Sequence, residues 1–237
     1  MSTKIAAEGL DDLRMQLSNL VNESVGRLPI VEAVCSGQLP RQQLQVMAAR
    51  MYAETRTALQ IKLPERLRIC PIEASALRRY WCHQLDEESG NFEPGQDHAS
   101  LLMPVCLALG LTREQLEAEF QRYHPIADYL RESPVSLELS LREATQVFVE
   151  ESVLAGQAMR IADALRDRYG LSEPALAYFR VHAQLDVAHS AAGLEVLVRC
   201  ATTPQQRQLV LESAQAVLAG FPTWVQDISP LKNGVMI

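Results

Sequence analysis

The sequence predicts an all-α protein, and three observations carry that prediction. Apolar residues recur at the helical spacing of i, i+3, i+4 and i+7 over most of the chain. No stretch of useful length alternates apolar with polar residues as a half-buried strand would. Two long runs, residues 135–173 and 175–203, contain no proline. No repeat at a 20–50 residue period is evident. The expected architecture is a single helical domain over residues 1–237, with about seven to nine helices.

Each element has a local reason. Leu13, Leu17, Leu20 and Val21 form the stripe of a first helix from Leu10 to Val25. Pro29 suits the first turn of a short second helix. A third follows Pro40, with Leu44, Ala48, Met51, Thr55 and Leu59 on one face, and Pro64 and Pro71 are expected to break or kink the chain. A helix from Ile72 to Asp86 follows, and Ser89 to Gly95 reads as a loop. Helical pattern resumes at His98, stops at Gly110 and restarts at Thr112, a good N-cap with Glu114 and Gln115 behind it. The first proline-free run ends at Tyr169-Gly170, where Gly is a C-terminal stop. Ser172 and Pro174 fit the cap and first turn of the next helix, and a last helix spans Pro204 to Leu218.

Composition narrows the function. The chain has 237 residues, of which 48% are hydrophobic and 22% charged, enough for one sizeable core. The net charge of −7 is well mixed and no basic block appears, which argues against a nucleic-acid partner. No apolar run is long enough to span a bilayer, and the N-terminus lacks the apolar stretch of a secretory signal. The expectation is a cytoplasmic protein with no membrane partner. Five cysteines (Cys35, Cys70, Cys82, Cys106 and Cys200) lack Cys-x-x-Cys spacing and read as small buried hydrophobes.

The sharpest chemical feature is the segment Tyr178 to His189. On a helix, Asp186 lies about +40°, His189 about −20° and Tyr178 about −40° from His182. Two imidazoles, a carboxylate and a phenol thus share a narrow face flanked by Phe179, Ala183 and Gly193. Buried together without compensation they would be costly, and a metal ion is the usual compensation. Two further places offer ligands. Glu88 closes the helix beginning at Ile72 and His98 opens the next, although a solvated acidic helix end with a surface histidine has the same pattern; Glu87 stays open as the alternative to Glu88, because an unwinding helix end could turn either side chain inward. Glu151 falls inside the apolar stripe of Ala144, Val147, Phe148, Leu154, Ala155, Ala158, Ile161 and Leu165, while Glu150 falls toward its edge. An acid in that position needs a partner, and a core salt bridge would also serve.

These residues resemble the haem-oxygenase-like dimetal oxidases, on the helical fold shared with haem oxygenase, thiaminase II and pyrroloquinoline quinone synthase. The resemblance covers roughly residues 40–200 and has three parts. They are Glu88-Ser-Gly90 with His98 ten residues after the Glu, the inward Glu151, and Tyr169-Gly170 leading to Tyr178-Phe179, His182, Asp186 and His189. In that family six side chains bind two irons. The resemblance therefore implies Glu88, His98, Glu151, His182, Asp186 and His189 as ligands, the region about 80–195 as the metal site, and O2 as co-substrate. It also implies a small amino-acid or carboxylic-acid substrate, oxidised by decarboxylation, C–C cleavage or N-oxygenation in a biosynthetic pathway, and allows a homodimer. Tyr178 matches a tyrosine one turn before the first His and is the candidate catalytic side chain; a packed aromatic is the plainer reading. Members that form para-aminobenzoate self-sacrificially use a Lys about ten residues after the second Glu. Residues 135–200 here contain no Lys, with Arg160 and Ile161 in that region, which weakens that route.

Substrate contacts are less legible. Arg50, Arg56 and Lys62 could meet a carboxylate, but each reads more simply as a solvated helix face; Tyr52 is a candidate pocket residue. His83 and His124 read as surface or packing residues. Two alternatives stand beside the diiron enzyme: a cofactor-free oxidase or thiaminase-like enzyme on the same fold, and a helical interaction protein with a buried polar network.

Overall fold

The computed structural model describes residues 2–24 and 28–226, with side chains described over 11–24 and 28–220. Among them there is no strand, and twelve α-helical segments follow one another: α1 (Ser2–Ser24), α2 (Pro29–Cys35), α3 (Arg41–Thr57), α4 (Leu63–Ile69), α5 (Ser75–Glu88), α6 (His98–Ala108), α7 (Arg113–Tyr123), α8 (Asp128–Glu132), α9 (Leu137–Ala155), α10 (Ala158–Tyr169), α11 (Ala177–Cys200) and α12 (Pro204–Gln226). The all-α expectation holds. The larger number of helices reflects interruptions that periodicity does not reveal. The predicted end of the first helix, Val25, lies outside the described residues.

Pro64 does not break the chain. α3 runs through a π-helical turn at Ala58–Lys62 straight into α4, and the wider turn just before Pro64 accommodates a residue that cannot donate a helical hydrogen bond. The wider turn rotates the downstream face, and it buries Lys62 at 6% exposure, a residue whose position in a regular helix would read as solvated. α5 starts at Ser75 and leaves Ile72 exposed. Its C-terminal end is the predicted loop, tightened by Gly90 at φ 62°. A Cβ there would sit 2.4 Å from the Gln96 backbone, so only glycine lets the chain fold back on itself. Asp97 then caps α6, its Oδ1 accepting from Ser100 N at 2.9 Å, which makes His98 the first helical residue.

Thr112 and Gln115 form a full capping box on α7. The proline-free run from 135 does not make one helix. It breaks at Gly156–Gln157, so Leu154 and Ala155 are only half-buried, and Ala158, Ile161 and Leu165 present the core face of α10. Gly170 ends α10 at φ 73° as expected. Ser172 stands at the N-cap position but makes no capping bond; a short 3-10 turn, Glu173–Leu176, leads into α11. α12 continues past Leu218. Of the cysteines, Cys70 and Cys106 are buried, Cys35 and Cys200 half-buried, and Cys82 is exposed, against expectation.

α9 and α11 pack along each other at the centre, with α5 and α6 against α11. Gly193 permits the approach: a Cβ on it would lie 3.1 Å from Phe148 Cβ and 3.4 Å from the Tyr80 hydroxyl. Trp81, Leu77, Leu102, Leu141 and Leu197 are fully buried around this pair, each aliphatic side chain stabilising the fold by about 2 kcal/mol. Against that background α11 also buries Tyr178, Asp186 and His189. Polar groups inside so apolar a shell need a compensating partner.

Candidate metal centre

Four helices carry the candidate ligands. α5 brings Glu88 on its last turn, α6 brings His98 at its first residue, α9 brings Glu151, and α11 brings His182, Asp186 and His189. Gly90 and the Asp97 cap set the Glu88–His98 pairing: Glu88 Oε2 lies 2.8 Å from His98 Nδ1. One oxygen or nitrogen from each of Glu88, His98 and His182 falls within 4.8 Å of the other two, a cluster that could hold a metal ion. The His98 and His182 rings are 4.4 Å apart, and Tyr178 lies 4.0 Å from His182. His182 Nδ1 bonds the Tyr178 carbonyl at 2.9 Å. As the donor in that bond, Nδ1 leaves the Nε2 lone pair free for a ligand.

A second group adjoins the first. Glu151 Oε1 lies 3.2 Å from His189 Nδ1. Asp186 is 2% exposed and feels the charges of Glu151, His189 and Glu88. His189 Nε2 bonds Glu87 Oε2 at 2.5 Å, and Glu87 also meets the exposed His83 at 3.3 Å. The helix end thus turns both adjacent acids inward, Glu88 to His98 and Glu87 to His189. Glu87, the open alternative to Glu88 at this helix end, thus reaches a different histidine, and His83, read as a surface or packing residue, is exposed beside it.

Among the described residues, only Glu88, His98 and His182 converge closely enough to hold one ion; Glu151, Asp186 and His189 adjoin them without forming a second such cluster. Glu88–His98 and Glu151–His189 are within contact distance, yet His98 Nδ1, His189 Nδ1 and Glu151 Oε2 have no hydrogen-bond partner, and neither does Asp186 Oδ2. All four atoms are buried. Buried carboxylate and imidazole atoms left without well-formed hydrogen bonds carry a cost that a cation would remove. Carboxylate and imidazole suit iron or manganese better than soft-ligand metals.

The electrostatics agree. Burial opposes the charge of Glu88, but the hydrogen-bonding and positive potential of His98 outweigh it and lower its pKa. Burial, helped by His98, pushes His182 down to about 4, so its imidazole is neutral. Burial and Glu151 push Asp186 up to about 8. Burial and the Glu88 charge raise Glu151 despite His189. His189 rises to about 9 because Glu151 and Glu87 outweigh burial. Carboxyls forced to keep protons are poised to exchange them for a cation.

A cavity of about 590 Å³ opens onto this cluster, lined by Tyr178, His182 and Asp186 on one side. Glu150 faces this cavity, separate from the Glu151–His189 contact. Lys62 also lines it and bonds Glu54 at 2.5 Å, which corrects its reading as a solvated residue. Arg50 is largely buried beside Glu119, and Arg56 pairs with Glu117 and stacks 4.0 Å over Phe120. Met51 lines the cavity, whereas Tyr52, the expected pocket residue, packs in the core. Arg160 is an exposed partner of Glu32. His124 packs against Phe120.

A helical bundle whose buried core gathers carboxylates and imidazoles into a metal-holding cluster defines the class: a helical metalloprotein. The chain belongs to the haem-oxygenase-type family described as iron-containing redox enzymes, whose model matches residues 51–220. No curated protein matches it significantly. Among the described residues no helix is long and apolar enough to cross a membrane.

Proposed function

We propose that the protein is a non-haem diiron oxidase or oxygenase that uses O2 to oxidise a small amino-acid or carboxylic-acid substrate. The observation that carries this reading is the buried cluster of Glu88, His98 and His182, with the buried Glu151, Asp186 and His189 beside it. In this reading Glu88, His98 and His182 hold one iron and Glu151, Asp186 and His189 complete the site for a second. Two irons held there would supply the redox equivalents for O2 activation. The remaining work belongs to the chain. Apolar α9, α10 and α12 side chains line part of the cavity. Tyr178 stands between the cavity and the imidazoles, its phenol hydrogen-bonded to Thr55 and kept protonated by burial, so it holds a proton at Oη beside the reacting space. Glu87 orients His189 through Nε2.

The test is anaerobic loading with Fe(II) followed by rapid mixing with O2 under visible spectroscopy. A transient absorption band that decays with one O2 consumed per site is expected. No band and no O2 uptake would refute the proposal and favour a cofactor-free enzyme or a non-catalytic protein.

A further inference from the structure

The wall of the cavity away from the imidazoles carries a second polar group. Its surroundings are apolar: Ile30, Val31, Met47, Met51, Leu154 and Ile161 line most of the space. Into this wall project Glu54 from α3, Lys62 from the π-helical turn and Glu150 from α9. A cavity of this size suits a small organic ligand, and a few convergent polar groups in an apolar wall normally orient it.

We infer that Glu54 and Glu150, arranged around Lys62, form a subsite for the ammonium group of a substrate with an apolar body. The inference rests on the proposal that this cavity receives the substrate, and it narrows the two expected substrate types to the amine-bearing one. Three points support it. Lys62 is the single Lys or Arg among the described lining residues, and its Nζ is already engaged by Glu54 Oε1 at 2.5 Å. Glu54 Oε2 is buried without a well-formed hydrogen bond, and Tyr123 on the same lining also bonds the Glu54 carboxylate, so an ammonium would join Lys62 and Tyr123 around it. Glu150 Oε1 accepts from Gln146 Nε2 at 2.9 Å, and its carboxyl adds a second acid to the same wall. With Glu54 paired to Lys62 and Asp186 assigned to the metal, Glu150 is the further acid on the lining, and among the described lining residues no second Lys or Arg stands ready for a carboxylate. A charged N–H donor on Glu54 would form the strong, charge-assisted kind of hydrogen bond. Tyr178, bonded to Thr55 next in sequence to Glu54, connects this wall to the metal cluster, so a bound amine would lie with its adjoining carbons near the imidazoles.

The experiment is calorimetric titration of the full chain, metal-free and again with Fe(II) under anaerobic conditions, using octylamine, 1-octanol and octanoate. The three probes share one chain length and differ in head group. Octylamine is expected to bind at least about tenfold more tightly than 1-octanol, and octanoate no more tightly than 1-octanol. Glu54→Gln should cost octylamine about tenfold and leave 1-octanol unchanged, with circular dichroism confirming the fold. Tighter binding of octanoate than of octylamine would overturn the inference and assign Lys62 to a carboxylate. So would unchanged octylamine affinity in folded Glu54→Gln. Because the metal-free arm stands alone, failure of the diiron proposal and failure of this subsite are read separately.

Discussion

Replacing Asp186 by Asn should make the metal-free protein more stable and deaf to metal. Asp186 is 2% exposed, its Oδ2 has no partner, and burial with the neighbouring Glu151 charge lifts its pKa from 3.8 to about 8. In the metal-free native state the carboxyl therefore keeps its proton up to about pH 8, whereas the unfolded chain loses it near pH 4. The native state binds the extra proton, so wild-type stability falls as pH rises through that window and is lowest above it. Holding the proton to pH 7 costs about 4 kcal/mol, and to pH 5 about 1.5 kcal/mol. Asn keeps the shape and cannot ionise. Metal-free Asp186→Asn should therefore gain stability over wild type, with a gap that widens by about 2–3 kcal/mol from pH 5 to pH 7. In a chain of this length that widening is about 5–10 °C in melting temperature. Thermal unfolding in chelator at the two pH values measures it. Adding Fe(II) or Mn(II) should raise the wild-type melting temperature and leave the variant's unchanged. A metal-free variant less stable than wild type at pH 7 would refute the reasoning, because Asp186 would then be part of a stabilising core pair.

Other outcomes follow from neighbouring contacts. Glu151→Ala removes the carboxylate against His189 and should abolish iron-dependent O2 uptake, while Glu150→Ala should retain most of it; oxygen-electrode traces of the two variants decide, and the reverse ranking would assign Glu150 to the metal. Gly90→Ala places a Cβ against the Gln96 backbone at a left-handed φ, so the loop must shift at a cost of about 1–3 kcal/mol. Iron analysis should show the Glu88–His98 half of the site emptied while the helical content stays. Arg66→Met leaves Glu143 buried without its cationic partner at 2.8 Å, with the Tyr129 hydroxyl still donating to it, and should cost about 3–5 kcal/mol in urea unfolding, with Arg66→Met/Glu143→Gln recovering part of the loss.

What the sequence made legible was the part governed by local rules. The face shared by Tyr178, His182, Asp186 and His189 needs only the helical period, and α11 places all four as the period requires. The Thr112 cap and the Gly170 stop are single-turn chemistry and appear as read. Glu88 and His98 were legible as a helix end and a helix start, but their meeting depends on a loop that only Gly90 can close. Less visible were features set by tertiary packing. The π-helical turn at Ala58–Lys62 adds a residue to one turn and swings Lys62 inward, so a regular helix misplaces it. The break at Gly156–Gln157 has no proline to announce it. Between Glu87 and Glu88 the sequence left the choice open, and the last turn of α5 opens enough for both to reach inward, each to a different histidine.

The central claim is that these side chains hold two irons. The most direct measurement is iron bound per chain after anaerobic loading with Fe(II) and removal of excess metal. A value close to two is predicted. A value of one, accounted for by Glu88, His98 and His182 alone, would contradict the two-iron form, and a value near zero would contradict the metal site altogether.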